Sequence, residues 1–330
     1  MTAPTVQRLT RRQFLGAGGA LLLAGLPPGR RGAIHDGAPV GGDDPGRQPS
    51  RSRLILLGTA GGPTPKPNRA APAQVIVVNG ASYVIDCGNG VARQMVLAQL
   101  KLSSIRAVFL THQHSDHNAD YGNLLLLSWA TDLTTRVDSY GPPPLAGMTR
   151  QFLAMQETDI RTRIADEGRP PLAPLIAAHE LTAGGVVMQD DNVRVTAAVV
   201  DHPPVRPALA YRFDCPDRSI VISGDTRPSP ALVALARGAD VLVHEVMHVP
   251  SIERLIATEP NATTLREHLL ASHTTTEQVG RLATEAGVKT LVLSHFVPGG
   301  HPFVPDEVWR DAVRPHFAGT LIVGRDLLEI

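Results

Sequence analysis

Within six residues the chain places three histidines and a carboxylate: His112-Gln113-His114-Ser115-Asp116-His117. The stretch directly follows an apolar run over residues 105–110 that reads as a buried strand. The cluster therefore sits in a loop at a strand's C-terminal end, held by a rigid element. Neutral imidazole and carboxylate are the ligand types that suit Zn²⁺. His112 and His114 alternate by two and can point the same way from extended backbone. Asp116 and His117 then turn towards a second position. Four ligands from so short a loop crowd a single ion, so two adjacent metals is the natural reading. A solvated histidine-rich loop is the bland alternative, and the buried strand directly before the cluster weighs against it.

The rest of the chain repeats this layout. Strands read over 53–57, 75–78 and 83–85, the last two joined by Asn79-Gly80, a hairpin turn pair. The glycine run Gly58-Thr59-Ala60-Gly61-Gly62 matches no phosphate-binding spacing and reads as a tight turn. Helical patterns cover 91–100, 120–133 and 145–163, with a short strand at 137–140. Strands over 193–200, 208–213, 219–222, 240–243 and 290–293 follow. Helices read at 230–237, 264–270, 275–286 and 306–313, with Thr274 or Thr275 as a cap, and a final strand pair lies near 319–330. His202, Asp225 and His295 each stand just after a strand, as the opening motif does. Two halves, each strand-rich first and helical after, predict an α/β chain of two sheets packed face to face with helices outside, an αββα sandwich. Residues 141–180 look like an insertion over the site.

The N-terminus has its own character. Arg11-Arg12-Gln13-Phe14-Leu15, followed by a short Gly- and Ala-softened apolar run, reads as a twin-arginine (Tat) export signal over 1–33. That run is too short for a membrane span. Residues 34–52 have the composition of a disordered linker, leaving 53–330 as the folded body. Charge follows the same division. The 330 residues carry 31 basic and 31 acidic side chains, but residues 1–53 hold eight Arg and three Asp. The body is left with a net of about −5, a weak prior for binding a polyanion. Cys87 and Cys215 are the sole cysteines, which excludes a thiolate metal site and a disulfide framework.

With these strand-end residues in view, the chain resembles the metallo-β-lactamase superfamily, most closely its ribonuclease Z and arylsulfatase-like branch. The resemblance spans residues 54–330. It is carried by Leu57-Gly58-Thr59, Ile85-Asp86-Cys87-Gly88, the 112–117 motif, and His202 with Ala210-Tyr211-Arg212-Phe213. Ser223-Gly224-Asp225-Thr226, Leu242-Val243-His244-Glu245, His273-Thr274-Thr275 and Leu293-Ser294-His295 complete it. It implies the metallo-β-lactamase fold, two mixed sheets flanked by helices. It also implies that His112, His114 and His202 hold one zinc, that Asp116, His117 and His295 hold a second, and that Asp225 bridges them. Asp86 would orient the motif loop. Manganese or iron could replace zinc.

Such a pair of metals, roughly 3.5–4 Å apart, makes water a nucleophile near neutral pH. Asp116 would accept its proton, and His273, oriented by Glu245, would assist the leaving group. A capping and hydrogen-bonding pair with no catalytic part is the alternative for His273 and Glu245. A carboxylate at position 225, where common zinc β-lactamases carry Cys, lowers the weight of a β-lactam substrate. The leading expectation is a dinuclear zinc hydrolase of a small aryl sulfate or phosphate ester, periplasmic or secreted. Alternatives are a lactonase or β-lactamase, a ribonuclease Z-like RNA phosphodiesterase, and a non-catalytic metal-binding scaffold. In ribonuclease Z the substrate is precursor tRNA on a basic arm. The acidic body and the absence of a basic cluster in 141–180 disfavour nucleic acid as a partner here. The export machinery is an expected partner, no membrane span is expected, and a homo-oligomer is compatible with all of this. Trp129, Tyr121 and Phe303 are candidates for an aromatic-substrate pocket, with core packing favoured for Trp129. His179, His248, His268, His301 and His316 read as surface or packing residues.

Overall fold

The computed structural model describes residues 52–300 and 303–330. The export signal over 1–33, nearly all of the 34–52 linker, and His301 lie outside the described residues. Among the described residues no helix is long and apolar enough to cross a membrane.

The first half supplies strands β1 (Ser52–Gly58), β2 (Ala73–Val78), β3 (Ala81–Ile85), β4 (Ile105–Phe109), β5 (Val137–Gly141) and β6 (Ile176–Glu180). Its helices are α1 (Val91–Leu97), α2 (Ser115–Asn118), α3 (Tyr121–Ala130), α4 (Leu145–Met155) and α5 (Glu157–Glu167). The second half supplies β7 (Gly185–Gln189), β8 (Arg194–His202), β9 (Val205–Asp214), β10 (Ser219–Ile222), β11 (Val241–Met247), β12 (Thr290–Val297), β13 (Thr320–Val323) and β14 (Leu328–Glu329). Its helices are α6 (Pro230–Ala236), α7 (Val249–Ile256), α8 (Leu265–Ser272), α9 (Thr276–Ala286) and α10 (Asp306–Val313).

The strands form two seven-stranded sheets, ordered β14-β1-β2-β3-β4-β5-β6 and β13-β12-β11-β10-β9-β8-β7. Each sheet is antiparallel on one side and parallel on the other. In β1, Leu54 and Leu56 face the layer between the sheets, while Ile55 and Leu57 face the outer helices. Both faces are covered, which is why the strand reads as an unbroken apolar run. Phe109 ties the inner layer together: its ring stacks on Tyr140 at 5.2 Å and meets Tyr211 and Phe213 edge-on at 5.3 and 5.1 Å. Residues of α1 and α3 cover the outer face of the first sheet, and residues of α6, α9 and α10 that of the second. This is the αββα sandwich expected from the sequence.

Two local expectations need correction. The final strands do not pair with each other. β13 joins β12 in parallel, whereas β14 crosses to the other sheet and pairs with β1. Leu327, with φ 63°, makes the crossing and donates its N–H to Leu56 O at 2.7 Å. The helical pattern over 145–163 is two helices, because Ile160 and Ile164 of α5 fold back onto the same Leu126–Trp129–Leu172 cluster that Phe152 and Leu153 of α4 contact. α7, β6 and β7 were not legible; α7 is short and carries Pro250 in its first turn. Thr275 is the cap of α9: its hydroxyl accepts from Gln278 N while Gln278 accepts from Thr275 N.

β10, β11 and β12 are mutually parallel, and β8 runs with them because β9 is antiparallel to both β8 and β10. The C-terminal ends of β8, β10, β11 and β12 therefore share one edge. That edge carries the candidate site.

Candidate metal centre

The sequence scatters the candidate ligands over nearly two hundred residues, and the sandwich edge gathers them. The motif follows β4 and continues into α2, so His112 and His114 leave from extended backbone and Asp116 and His117 from the first turn of a helix. His202 ends β8, Asp225 follows β10 through Gly224, and His295 lies in β12. Ligand atoms of His112, His114, His202 and Asp225 all lie within 4.8 Å of one another, and so do those of Asp116, His117 and His295.

The separations suit tetrahedral zinc, whose ligand atoms at ~2.0–2.1 Å from the ion stand about 3.3 Å apart. His114 Nδ1 is 3.0 Å from His112 Nε2 and 3.1 Å from His202 Nε2. His295 Nε2 is 3.4 Å from Asp116 Oδ2 and 3.1 Å from Asp225 Oδ2. His117 Nε2 is 3.4 Å from Asp225 Oδ1, while Asp225 Oδ2 lies 3.9 Å from His112 Nε2. Asp225 thus stands between the two groups. Among the described residues, His117 Nε2, His295 Nε2 and Asp225 Oδ1 are buried without a hydrogen-bond partner. Buried polar atoms left so are costly unless something else satisfies them. Nitrogen and carboxylate donors in this arrangement fit a pair of divalent cations.

The faces turned away from the centre are fixed by hydrogen bonds. His117 Nδ1 donates to Asp86 Oδ2 at 2.7 Å, and His202 Nδ1 donates to Ser272 O at 2.9 Å, leaving Nε2 of each with its lone pair inward. Asp86 also accepts from Thr111 N at 2.8 Å and from Thr111 Oγ1, which locks the motif loop to β3. Two glycines admit this crowding. A Cβ on Gly61 would meet the His295 ring at 2.9 Å, and one on Gly88 would meet Asp116 O at 2.5 Å.

Charges follow the same geometry. Burial pushes the His112, His114 and His202 imidazoles down, keeping them neutral and able to ligate. At His117 burial also works downward, but the Asp225, Asp86 and Asp116 carboxylates overcome it and raise the pKa well above the ordinary value. Without a cation the ring therefore holds a proton on Nε2 that a bound metal would displace. Burial would raise Asp116, and the nearby His117 and His295 outweigh it, holding the carboxyl below the usual range.

His273 and Glu245 meet beside this centre. His273 Nδ1 lies 2.9 Å from Glu245 Oε2, and Glu245 Oε1 also accepts from Thr226 N at 2.8 Å. Burial works against a charge on His273, yet Glu245 raises its pKa to about 9. His273 lines a cavity of about 350 Å³ that opens onto His114, Asp116, Asp225 and His295. Its far wall is apolar, built by Leu255 of α7, Leu265 and Leu269 of α8, and Val297.

Several residues stand elsewhere than expected. Trp129 and Tyr121 are 1% and 2% exposed in the outer core, and Phe303 is 59% exposed beside Asn68 and Arg69, so none lines this cavity. The apolar walls come from leucines instead. Residues 141–180 form α4, α5 and β6, and none of them lines the cavity. His268 does line it, with its ring 6.2 Å from those of His114 and His202. Its signal in the sequence is the spacing from Leu265, which puts both on one face of α8. The glycine run after β1 does more than turn: Gly61 and Gly62 line the cavity, and Gly62 N donates to Asp116 Oδ2 at 3.0 Å.

Residues 82–296 match the β-lactamase superfamily domain. The chain is 36% identical over 281 residues to ribonuclease Z of Mycobacterium sp. strain KMS, covering 84% of this chain and 95% of that one. It is 35% identical over 280 residues to ribonuclease Z of Mycobacterium bovis strain BCG Pasteur 1173P2, covering 84% and 97%. Among solved structures it shares its fold with the short form of human tRNase Z, at 21% identity and a TM-score of 0.62 over 84% of this chain and 98% of that one. A metallo-β-lactamase-fold protein from Bacillus subtilis matches at 19% identity and a TM-score of 0.60, with the same coverage.

These relatives overturn the expectation that nucleic acid is disfavoured as a partner. That expectation rested on a net charge averaged over the whole body, on the lack of a basic cluster in residues 141–180 and on the export signal. A polyanion meets a local field rather than the average. The average also counted Asp116 and Asp225, whose charges face the candidate cations.

Proposed function

The chain belongs to the metallo-β-lactamase superfamily, in its ribonuclease Z-like branch, and on that premise we propose that it is a dinuclear zinc phosphodiesterase acting on RNA. The observation that carries this reading is the 36% identity to a ribonuclease Z across 95% of that relative's length. The ligand geometry supports it. His112, His114 and His202 would hold one ion, Asp116, His117 and His295 the other, with Asp225 between them.

Zinc held there would polarise the phosphoryl group and make water acidic enough to ionise near neutral pH. The chain's own residues do the rest. Asp116, steadied by Gly62 N, accepts the proton of the attacking water. His273, kept protonated by Glu245 and facing the cavity, gives a proton to the departing oxygen. Leu255, Leu265, Leu269 and Val297 shelter the reacting phosphoryl group from bulk water on the far side.

A second reading, hydrolysis of a small aryl sulfate or phosphate ester, is favoured by one feature, the apolar wall of that 350 Å³ cavity. A matched panel separates the two. Zinc-loaded protein would be given an RNA oligonucleotide, an aryl phosphodiester, an aryl sulfate, a lactone and a β-lactam. Cleavage of the RNA and the phosphodiester supports the proposal. Turnover of the sulfate without RNA cleavage would favour the second reading, and turnover confined to the lactone or β-lactam would refute both. The twin arginines at 11 and 12 support export of the folded protein; replacing both with Lys should retain it in the cytoplasm in cell fractionation.

A further inference from the structure

A second, much smaller cavity of about 20 Å³ is lined by the candidate ligands His117, Asp225 and His295 and by Gln74, His244 and Ser294 among other residues. That is room for the centre of one water molecule. His117 Nε2, His295 Nε2 and Asp225 Oδ1 are assigned above to the metals, which leaves the remaining polar atoms to be accounted for. Four other atoms of these side chains are buried with no hydrogen-bond partner among the described residues: Gln74 Oε1, His244 Nε2, Ser294 Oγ and His295 Nδ1. The four residues are at most 5% exposed.

Chemistry fixes what each atom can do. Gln74 Oε1 only accepts. His244 Nδ1 is 2.6 Å from Glu245 O and so carries its proton there. The His244 ring is fully buried, which disfavours a charge, so with its proton on Nδ1 it presents Nε2 as an acceptor. His295, resting on the ligand reading above, turns Nε2 to a metal, so its Nδ1 carries a proton and donates. The Ser294 hydroxyl rotates and can donate. Two acceptors and two donors around one small space are the complement of a water molecule.

The other ligands sharpen the point. His112, His117 and His202 each have a direct partner on Nδ1, namely Thr111 Oγ1, Asp86 and Ser272 O. His295 has none among the described residues, and its backbone sits in the left-handed region at φ 42°. A ligand held in such backbone needs its ring oriented by something.

We propose that this cavity binds one structural water that donates to Gln74 and His244 and accepts from His295 and Ser294. Gln74, His244 and Ser294 are then positioning residues that act on the metal centre through that water.

The test uses the full chain and zinc alone, titrated against a competing chelator. Gln74→Leu and Ser294→Ala should weaken one of the two zinc-binding steps by about tenfold to a hundredfold, leaving the other unchanged. Ser294→Thr, which keeps the hydroxyl, should restore it. Cobalt(II) spectra should change only in the bands that appear with the weakened step. Unchanged zinc affinities in both variants, with only a lower thermal midpoint of the chelated protein, would overturn the proposal and leave a packing role. If Gln74→Leu does not fold, Ser294→Ala and a crystal structure of the zinc-loaded wild type decide. Density within about 3.2 Å of all four atoms supports the proposal. An empty cavity, or Gln74 or Ser294 bonded directly to His295 Nδ1, overturns it. Wild-type protein that binds no zinc would instead sink the ligand reading itself, and this inference with it.

Discussion

Asp86 and His295 both hold left-handed backbone, with φ of 60° and 42°, where non-glycine residues are uncommon. Both are buried and both face the candidate metals, Asp86 through His117. Strain of this kind persists where surroundings over-determine it, and here the surroundings are the ligand set. Asp225 has the most to lose by substitution, since it lies within reach of both ligand groups. Asp225→Ala should bring zinc content well below two per chain by elemental analysis; an unchanged count would remove its bridging role. His273 makes a different prediction. His273→Ala should keep both metals and slow turnover most for poor leaving groups, and equal slowing for good and poor ones would argue against proton donation. The pKa near 9 gives the sign of the pH effect: His273 is charged below that value and loses its proton above it. Glu245→Gln should therefore shift the basic limb of kcat towards lower pH. The same pair contributes stability that is fully present below about 6.5 and lost as pH rises through about 9.

At the scale of elements, the site is an edge property. β8, β10, β11 and β12 run one way, so a residue at each C-terminal end reaches the same place. This part was legible in the sequence, because an apolar run followed at once by His or Asp marks a buried strand and its polar exit. What was not legible came from contacts between elements. His268 looks like an ordinary helix histidine until α8 is laid beside β8, where its ring approaches His202. Gly61 looks like a turn until β12 brings the His295 ring against it. The Leu265–His268 spacing gives a shared helix face but not what that face meets, and Gly61 has no local pattern at all. Phe109, fully buried between Tyr140, Tyr211 and Phe213, is one of the contacts that pack the two sheets together. Phe109→Ala should cost about 3–5 kcal/mol in denaturant unfolding. A loss under ~1 kcal/mol would mean that the inner layer repacks freely.

Over the described residues the fold is two similar halves joined face to face. Each begins with antiparallel hairpins and ends with parallel strands, and each sends metal-type residues to one edge. The repeated order of strands then helices made this architecture readable. The crossing of the last strand to the other sheet was not, because β13 and β14 are four and two residues long and carry no register of their own. The charge balance misled for a related reason: it describes the molecule as a whole, while a substrate meets only the neighbourhood of Asp116 and Asp225. On the proposed reading, seven side chains bring two metals together to hydrolyse an RNA phosphodiester. The most direct measurement is RNA cleavage by chelator-stripped protein as zinc is returned in steps. Activity should stay low through the first equivalent and rise with the second. Full activity at one equivalent, or none at two, would contradict it.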